Sequence, residues 1–285
     1  MKIALSGANG FIGGNLVHNL KNSGHEVIEI KRSQLYDRAA LTNALSGTEV
    51  VVHLSGAPIL CRWTNENKKE ILRSRVESTR NIVQVINNLP ERNKPHTYIS
   101  ASAIGIYLPG QRHTEESQSF STDFLGDVVN QWEESSSELT GSVRKIIFRI
   151  GLVLGKEAKM MKQLLPLFKL GLGGKIGNGR QAFPFVHIKD VTQAIVWTAQ
   201  NHEAKGIYNL VAPQNITNNQ FTKALSKAVR RPALFTVPEF ALKIRFGEAA
   251  ALLLQSPIVE PKRLIESGFE FKYPDIKTTL GEITA

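Results

Sequence analysis

Apolar and polar positions follow two alternating periods along the first two thirds of the chain. The apolar run KIALS at 2–6 precedes an amphipathic stretch in which Phe11, Leu16, Val17 and Leu20 share one face. This order predicts a strand followed by a helix. Further strands are predicted in HEVIEIKR (25–32), TEVVVHLSGAP (48–58), HTYISASAIGIY (96–107), RKIIFRIGLVLG (144–155) and GIYNLVA (206–212).

Helical periodicity fills the gaps between these strands, at 37–46, 66–88 and 122–139. The strands are almost continuously apolar, as parallel strands covered on both faces usually are. We therefore predict an α/β fold with a doubly wound, Rossmann-type parallel sheet. Ligands are expected at the carboxyl ends of its strands.

The pattern changes after Gly155, where a helix and a glycine-rich loop follow. A later helix is predicted to begin at the cap Asp190, with Gln193 as its capping partner. Helices are also predicted near 218–229, 238–244 and 247–254, and prolines separate them. These features predict a Rossmann domain of residues 1–155 and 184–213, and a smaller, mainly helical substrate or lid domain of 156–183 and 214–285.

Composition narrows the class of protein. The chain is 42% apolar and 21% charged, which is typical of a globular protein, and it carries a net charge of +10. Its basic residues form no run of five or more, so we interpret the charge as an aid to solubility and to binding of anionic ligands, with no nucleic-acid partner expected. The one cysteine, Cys61, excludes an intrachain disulfide, and no metal site is expected.

The ends of the chain and its apolar runs bear on location. MKIALS leads directly into a glycine turn, so it is interpreted as a first strand and not as a signal peptide. No apolar run reaches membrane-spanning length. We expect a cytoplasmic protein without a membrane partner, either monomer or homodimer.

The turn GANGFIG lies between the first strand and the first helix. Gly7 permits a tight turn, Gly10 lets the backbone approach a pyrophosphate, and Gly13 lets the helix pack against the strand. The pyrophosphate would then meet free amide groups at the positive end of a helix dipole. This context predicts a dinucleotide site that also includes Asn9, Phe11 and Ile12.

The end of the second strand indicates which dinucleotide binds. NAD sites usually place an acidic residue there, whereas this chain has Lys31 and Arg32, which suit a 2′-phosphate. Glu29 is a less suitable ribose partner because it precedes Ile30 within the strand. NADP is therefore favoured over NAD. The alternative is that Lys31 and Arg32 are merely a solvated strand end.

The motifs GANGFIG, VVVHLSGAP, YISASAIGIY, RIGLVLG and FPFVHIKD together resemble the extended short-chain dehydrogenase/reductases. The stretches CRWTNENKKEILRSRVEST, GLGGKIGNGRQAF, RRPALFTVPE and ESGFEFKYP narrow the resemblance to the atypical, YfcH-like epimerase-family branch. The resemblance implies a Rossmann domain with NADP and a smaller C-terminal domain that closes over the cleft. It adds Leu54, Ser55, Gly56, Ser100 and Gly151 to the expected cofactor contacts. Arg62, Trp63 and Gln181 are expected to contact a polar or anionic substrate.

The expected active site departs from that of the active family members, which use a Tyr-x-x-x-Lys pair for proton transfer. The matching positions here are Leu125 and Val129, and an expected Asn is replaced by Arg75. Only the hydroxyl position remains, as Ser102. Arg75 can grip a carboxylate or phosphate, or it can be a surface residue paired with Glu70 or Glu77.

Other side chains near the predicted cleft are candidates to carry the proton. Tyr107 is predicted at the mouth of the cleft and is the best substitute, with packing as its alternative role. Ser102 either binds a substrate carbonyl or hydroxyl or is a small residue at a crowded strand end. His53 and His187 are interpreted as structural residues of apolar strands.

Two functions remain open from sequence. The first is an NADP(H)-dependent oxidoreductase or epimerase-like enzyme that acts on a small polar or anionic substrate under the C-terminal domain. The second is a catalytically inactive NADP-binding regulator that acts through a protein partner, in a process such as cell division.

Overall fold

Strands occupy the apolar runs in the order that the sequence pattern predicts. The computed structural model describes all 285 residues. The strands are β1 (Lys2–Ser6), β2 (Glu26–Ile30), β3 (Val50–His53), β4 (Thr97–Ala103), β5 (Arg112–His113), β6 (Arg144–Ile150), β7 (Leu152–Leu154), β8 (Gly174–Ile176), β9 (Phe185–His187), β10 (Gly206–Leu210), β11 (Phe235–Val237) and β12 (Ile258–Val259).

Helices fill the stretches between the strands, and five of the eleven begin at a short polar cap. Thr64, Asp123 and Thr217 each accept a hydrogen bond from the amide three residues later, which fixes where their helices start. The helices are α1 (Phe11–Asn22), α2 (Arg38–Leu45), α3 (Asn65–Asn88), α4 (Phe124–Glu134), α5 (Lys159–Lys169), α6 (Ile188–Gln200), α7 (Asn218–Ala228), α8 (Glu239–Phe246), α9 (Ala251–Leu254), α10 (Lys262–Glu266) and α11 (Ile276–Thr284).

Six parallel strands form the central sheet in the order β10-β6-β4-β3-β1-β2. Successive residues of β3 face opposite sides: Val50 and Val52 join the core beneath α1 and α6, whereas Val51 joins the core beneath α2 and α3. Because both faces of the sheet are covered, its strands need apolar residues at every position. The prediction of a doubly wound Rossmann sheet is confirmed.

The C-terminal region packs against the sheet through a separate apolar core. Met161 and Phe168 of α5 meet Phe221 and Leu225 of α7 there, and residues of α11 complete the core. Two small parallel pairs, β7 with β9 and β8 with β11, join this region together. The predicted helix at 247–254 is a turn of 3-10 helix followed by the short α9.

Two predicted helix boundaries are wrong. Helix α4 spans 124–134 rather than 122–139, because the hydroxyls of Ser135 and Ser136 bond back to the carbonyls of Trp132 and Glu133 and end it. Helix α6 is capped by His187 and not by Asp190, which lies in its first turn.

Asp190 instead holds the C-terminal segment to α6. Its fully buried carboxylate accepts the backbone N–H groups of Lys272 at 2.8 Å and Tyr273 at 3.0 Å. Burial raises the pKa of Asp190, and these two donors partly offset the effect. The side chain therefore anchors residues that are more than eighty positions away in sequence.

We expect Asp190→Ala to destabilise the protein by about 3 kcal/mol, because it leaves two backbone donors without an acceptor. Urea unfolding measures the change. The matched control is Asp127→Ala, also in the first turn of a helix but exposed, which should change stability by less than about 0.5 kcal/mol. Equal effects of the two substitutions would contradict the anchoring role.

Candidate functional site

The glycine turn brings β1, α1 and the loop after β3 into close contact. Gly7 has a φ of 82°, and a Cβ on it would lie 2.9 Å from the carbonyl of Leu54. A Cβ on Gly13 would lie 2.1 Å from the Gly7 carbonyl oxygen. Only glycine fits either position, so Gly7, Gly13, Leu54 and the adjoining Ser55 form one cradle.

The start of α1 faces this cradle with free donors. Gly10 precedes the helix, no side chain caps it, and its first turn contains no acidic residue. The amides of Phe11, Ile12 and Gly13 are therefore available to an anion, and the helix dipole favours negative charge there. The neighbouring Asn9 is exposed in the turn.

Lys31 and Arg32 follow β2 and are both exposed. The Arg32 side chain is 70% exposed and forms an ion pair with Glu70 of α3. The Lys31 amide donates to the side chain of Gln34 at 2.7 Å. Both cations thus lie at the strand end that the sequence prediction assigns to the ribose.

Arg75 supports the loop after β3. Its guanidinium donates to the carbonyls of Ile71 and Ala57, both at 3.1 Å, and lies 5.2 Å from the centre of the Trp132 ring. A Cβ on Gly56 would lie 3.1 Å from its Cζ. The alternative interpretation of Arg75 as a surface partner of Glu70 or Glu77 is wrong, because its guanidinium is buried against this loop. Burial also lowers the pKa of Arg75 to about 10, which leaves it charged at neutral pH.

Leu125 and Val129 are buried one turn apart on α4 and belong to an apolar cluster with Ile104 and Ile106. The Leu125 side chain lies against Gly105, on which a Cβ would be 2.6 Å from its Cδ2. Tyr107 is the one ionisable side chain of this cluster. Leu125 and Val129 themselves are aliphatic, so neither side chain can transfer a proton.

Ser102, near the end of β4, donates a 2.5 Å hydrogen bond to Oε1 of Glu133. Arg149 of β6 binds the same carboxylate through two donors, at 2.8 Å from Nε and 2.7 Å from Nη2. Burial opposes the charge of Arg149, but the hydrogen bonds and charge of Glu133 outweigh it and raise the pKa of Arg149. A nearly buried ion pair thus holds the serine hydroxyl in one orientation.

Sequence reasoning missed Glu133 and Arg149 as site residues. A signal was present for the first, because Glu133 follows Val129 by four residues and Leu125 by eight, on the same face of a helix. The signal for Arg149 was weaker, because it is an arginine within an apolar strand. Its neighbours become evident only once β4 is known to pair with β6.

The prediction that Tyr107 lies at the mouth of the cleft is wrong. The residue is 1% exposed, and its hydroxyl accepts from Arg149 at 2.9 Å and donates to Asn209 at 2.8 Å. Burial raises the pKa of Tyr107, and the nearby charge of Arg149 only partly offsets this. Tyr107 therefore extends the Arg149 network and packs in the core, which was its alternative role.

Both histidines singled out from the sequence are buried. His53 lies between Ser6, 2.6 Å from its Nδ1, and Ser78, 3.1 Å from its Nε2. Burial, with a smaller contribution from the charge of Arg75, lowers the pKa of His53 to about 3. His187 contacts Glu282 at 3.0 Å, and burial keeps its pKa below the ordinary value. The structural interpretation of both residues is consistent with these contacts.

The three expected substrate contacts lie in two places. Gln181 donates to the carbonyls of Leu253 at 3.1 Å and Ile176 at 3.3 Å, and it lines an open cleft of about 730 Å³. Trp63 packs on Phe124 at a ring distance of 4.9 Å, near Leu125, while Arg62 is exposed beside Gly247. The polar residues of the cleft include Arg112, Asn178, Arg180, Asn215 and Gln220.

The remaining expected cofactor contacts lie at neighbouring strands. Ser100 is buried in β4 beside His53 of β3, and Gly151 directly follows β6. Among all residues, no group of three or more His, Cys, Asp or Glu side chains is placed to hold a metal ion. The helices include none long and apolar enough to cross a bilayer.

Residues 3–210, which contain the whole sheet and the glycine cradle, match the model of the NAD dependent epimerase/dehydratase family. The chain belongs to this family. Residues 237–283 match a domain of unknown function, DUF1731, which agrees with the atypical branch of the extended dehydrogenase/reductases that the motifs indicate.

Relatives within the epimerase family extend over almost the whole chain. The epimerase family protein YfhF of Bacillus subtilis is 33% identical over 301 residues, covering 100% of this chain and 98% of YfhF. A chloroplastic homologue of SDR39U1 from Arabidopsis thaliana is 33% identical over 99% of this chain and 86% of its own length. The crystal structure of human SDR39U1 (isoform 2) with NADPH has a TM-score of 0.93 and 30% identity, covering 100% of this chain and 99% of the human one.

The buried His53 makes the stability of this epimerase-family protein depend on pH. Its pKa is about 3 in the folded state and about 6.5 when unfolded, so the unfolded state gains protons first as the pH falls. The stabilisation is complete above about pH 6.5 and is lost between there and about pH 3. We expect His53 to account for about 2 kcal/mol of lost stability at about pH 5, measured by urea unfolding.

The variant His53→Gln should flatten this pH dependence, because glutamine does not titrate. The exposed His202 offers a matched control, and His202→Gln should keep the steep dependence. A wild-type slope in His53→Gln would show that other groups cause the acid sensitivity.

Proposed function

We propose that this protein binds NADP(H) at the glycine cradle and acts as an oxidoreductase or epimerase-like enzyme on a small polar or anionic molecule. The observation that carries the catalytic part is the nearly buried ion pair of Glu133 and Arg149 that orients the Ser102 hydroxyl. Burying two charges costs desolvation free energy. A buried ion pair that orients a single hydroxyl at a strand end therefore favours a binding role for that hydroxyl.

The residues present fit a dinucleotide phosphate. The cradle of Gly7 and Gly13 has room for no side chain, and the free amides of α1 suit a pyrophosphate. Lys31 and Arg32 supply positive charge for a 2′-phosphate, which supports NADP over NAD. The NADPH in the crystal structure of human SDR39U1 supports the same choice.

The same cofactor would extend along the carboxyl ends of β3, β4 and β6, past Ser55, Gly56, Ser100 and Gly151. When bound, it supplies hydride transfer. The chain itself binds and orients the reactants and excludes water through the apolar wall of Leu125. Arg75 positions the loop at Gly56, and we infer no direct substrate contact for it.

The direction of the Ser102 hydrogen bond selects the substrate group. A serine hydroxyl has one proton, and Ser102 donates it to Glu133, so only oxygen lone pairs remain for a ligand. Both carboxylate oxygens of Glu133 accept N–H donors of Arg149, so the carboxylate is the acceptor for the Ser102 proton. Ser102 should thus accept a hydrogen bond from a substrate hydroxyl, whereas a carbonyl would find no donor there.

The substrate would enter from the C-terminal side. The cleft at Gln181 is lined mainly by polar residues, including Arg180, and this favours a polar or anionic molecule. We place it between a Rossmann domain of residues 1–155 and 184–213 and a lid domain of 156–183 and 214–285. The molecule would work as a monomer or a homodimer in the cytoplasm.

A second candidate function is an inactive NADP-binding regulator with a protein partner. The burial of Leu125 against Gly105 favours it, since the space that an acidic phenol needs is filled by an aliphatic side chain. The burial of Tyr107 removes the alternative proton donor.

Cofactor preference can be tested by calorimetric titration. We expect NADPH to bind at least about tenfold more tightly than NADH, and Arg32→Glu to remove most of that difference, because a charge-assisted hydrogen bond to the 2′-phosphate is lost. Glu70→Gln should preserve the preference, since it frees Arg32 from its ion pair. The exposed, unpaired Arg80 provides the control Arg80→Glu, and equal affinities for the two cofactors in the wild type would refute the assignment.

Turnover can be tested by screening alcohols and hydroxy acids with NADP⁺, and carbonyl compounds with NADPH. For any compound turned over, we expect Ser102→Ala to lower kcat/KM by about a hundredfold through loss of the oriented acceptor. Glu133→Gln should mainly raise KM, because Glu133 positions Ser102, and it should also lower the melting temperature, because it leaves the nearly buried Arg149 without its carboxylate. The neighbouring Glu134→Gln is the control, since this side chain is exposed.

One result would contradict the role of Ser102, and another would decide against the enzyme. Full activity in Ser102→Ala would exclude the proposed role of the hydroxyl. Inactivity with every compound, together with a stoichiometric protein complex that depends on NADPH, would establish the regulator instead.

A further inference from the structure

Two segments carry the whole net charge of the protein. Residues 156–180 and 223–247 contain twelve of the 35 Lys and Arg residues but only two of the 25 Asp and Glu residues. The other 235 residues therefore balance, with 23 charges of each sign. The basic residues form no run of five or more, yet their surplus over acidic residues is confined to these two segments.

The two segments lie against each other in the fold. Strand β8 of the first pairs with β11 of the second, and α5 shares an apolar core with α7. The Asn218 side chain, at the start of α7, also accepts the amide of Ile176 at 2.8 Å. Eleven of the twelve basic side chains are exposed, and only Lys162 among the twelve forms an ion pair, with Glu157.

The same segments expose eight of the twelve exposed large apolar side chains of the protein. Leu234, Phe240 and Ile244 are 84%, 66% and 70% exposed, and the last two lie one turn apart on α8. All three residues of β11 are exposed. We call this set the basic apolar surface; it consists of Leu167, Leu170, Leu172, Leu234, Phe235, Val237, Phe240 and Ile244, with the cations Lys169, Arg230, Arg231, Lys243 and Arg245.

We propose that the basic apolar surface binds an anionic lipid bilayer at its headgroup region. Side chains such as Phe240 and Ile244 would enter the boundary between headgroups and acyl chains, while Lys243 and Arg245 on the same helix meet lipid phosphates. Such a bilayer would stabilise both kinds of side chain. The protruding apolar side chain would be buried, and the unpaired cation beside it would be attracted to the anionic headgroups. This departs from the expectation, drawn from sequence, that the protein has no membrane partner.

The charge of this surface argues against a second copy of the chain as its occupant. A twofold contact would place the cations of two identical surfaces against each other, with only Glu239 to oppose them on 223–247. The exposure of the apolar side chains argues against a peptide. Leu234 and Ile244 protrude, whereas a bound peptide usually lays its own side chains into a groove.

Vesicle sedimentation with the full chain tests the proposal. The probes are vesicles of phosphatidylcholine alone and vesicles with about 30% phosphatidylglycerol, on which a polybasic surface binds selectively. We expect binding to the anionic vesicles only, weakened by salt. Lys243→Glu/Arg245→Glu and Phe240→Ser/Ile244→Ser should each weaken that binding by about tenfold or more.

Matched controls distinguish binding through this surface from non-specific electrostatic or hydrophobic binding by other parts of the protein. Arg38→Glu/Lys277→Glu reverses two exposed, unpaired cations elsewhere, and Ile265→Ser removes an apolar side chain that is also half exposed. Both should bind anionic vesicles much more like the wild type than the surface variants do. NADPH titration and thermal unfolding show that every variant is folded.

Three results would overturn the proposal. One is equal binding to neutral and anionic vesicles, or binding to neither. Another is an equal loss in the control and surface variants. The third is concentration-dependent dimerisation without lipid, measured by sedimentation velocity and abolished by Phe240→Ser/Ile244→Ser, which would make the surface an interface between copies.

Discussion

The site depends on one nearly buried ion pair, that of Glu133 and Arg149. It joins α4 to β6, and its hydrogen bonds reach Ser102 on β4 and Tyr107 beyond it. Two desolvated charges are stable together only if their remaining donors and acceptors are satisfied. The network satisfies them, and the C-terminal region joins it where Asn209 bonds to the carbonyl of Glu260 at 3.0 Å. The geometry at the strand ends is therefore fixed by polar contacts that leave little freedom of movement.

This arrangement changes what the loss of the Tyr and Lys pair means. Leu125 and Val129 are not isolated substitutions. The next turn of the same helix face carries Glu133, whose carboxylate accepts the hydrogen bond of Ser102. Arg75 stands where the family has an Asn. Its guanidinium supports a loop, because it donates to the carbonyls of Ile71 and Ala57. Where the active family members carry a proton-transferring pair, this chain has two aliphatic side chains, and a charge pair that includes the next turn of α4 orients the Ser102 hydroxyl.

Periodicity and glycine positions were enough to predict the sheet and the glycine turn, since these depend on local sequence, whereas the family was indicated by the resemblance of the assembled motifs. The side-chain partners were not predictable in this way. Asp190 reads as a helix cap until Lys272 and Tyr273 come to it, and Tyr107 reads as a cleft residue until Arg149 and Asn209 enclose it. These two errors concern polar side chains whose partners are 40 or more positions away, where pattern gives no information about which groups meet.

The charge distribution indicates that cofactor binding and the proposed bilayer binding depend on different interactions. Outside the two basic segments the protein has no net charge, and Arg32 is itself paired with Glu70. A dinucleotide phosphate must therefore be held by local features, namely the free amides and dipole of α1 and a nearby cation, whose effect falls off within about one turn. The surplus of +10 lies on elements that carry the unpartnered apolar side chains. The long-range positive field would attract an anionic bilayer, whereas the short-range anion cradle would bind a dinucleotide phosphate. The two proposals are therefore independent, and either can fail without the other.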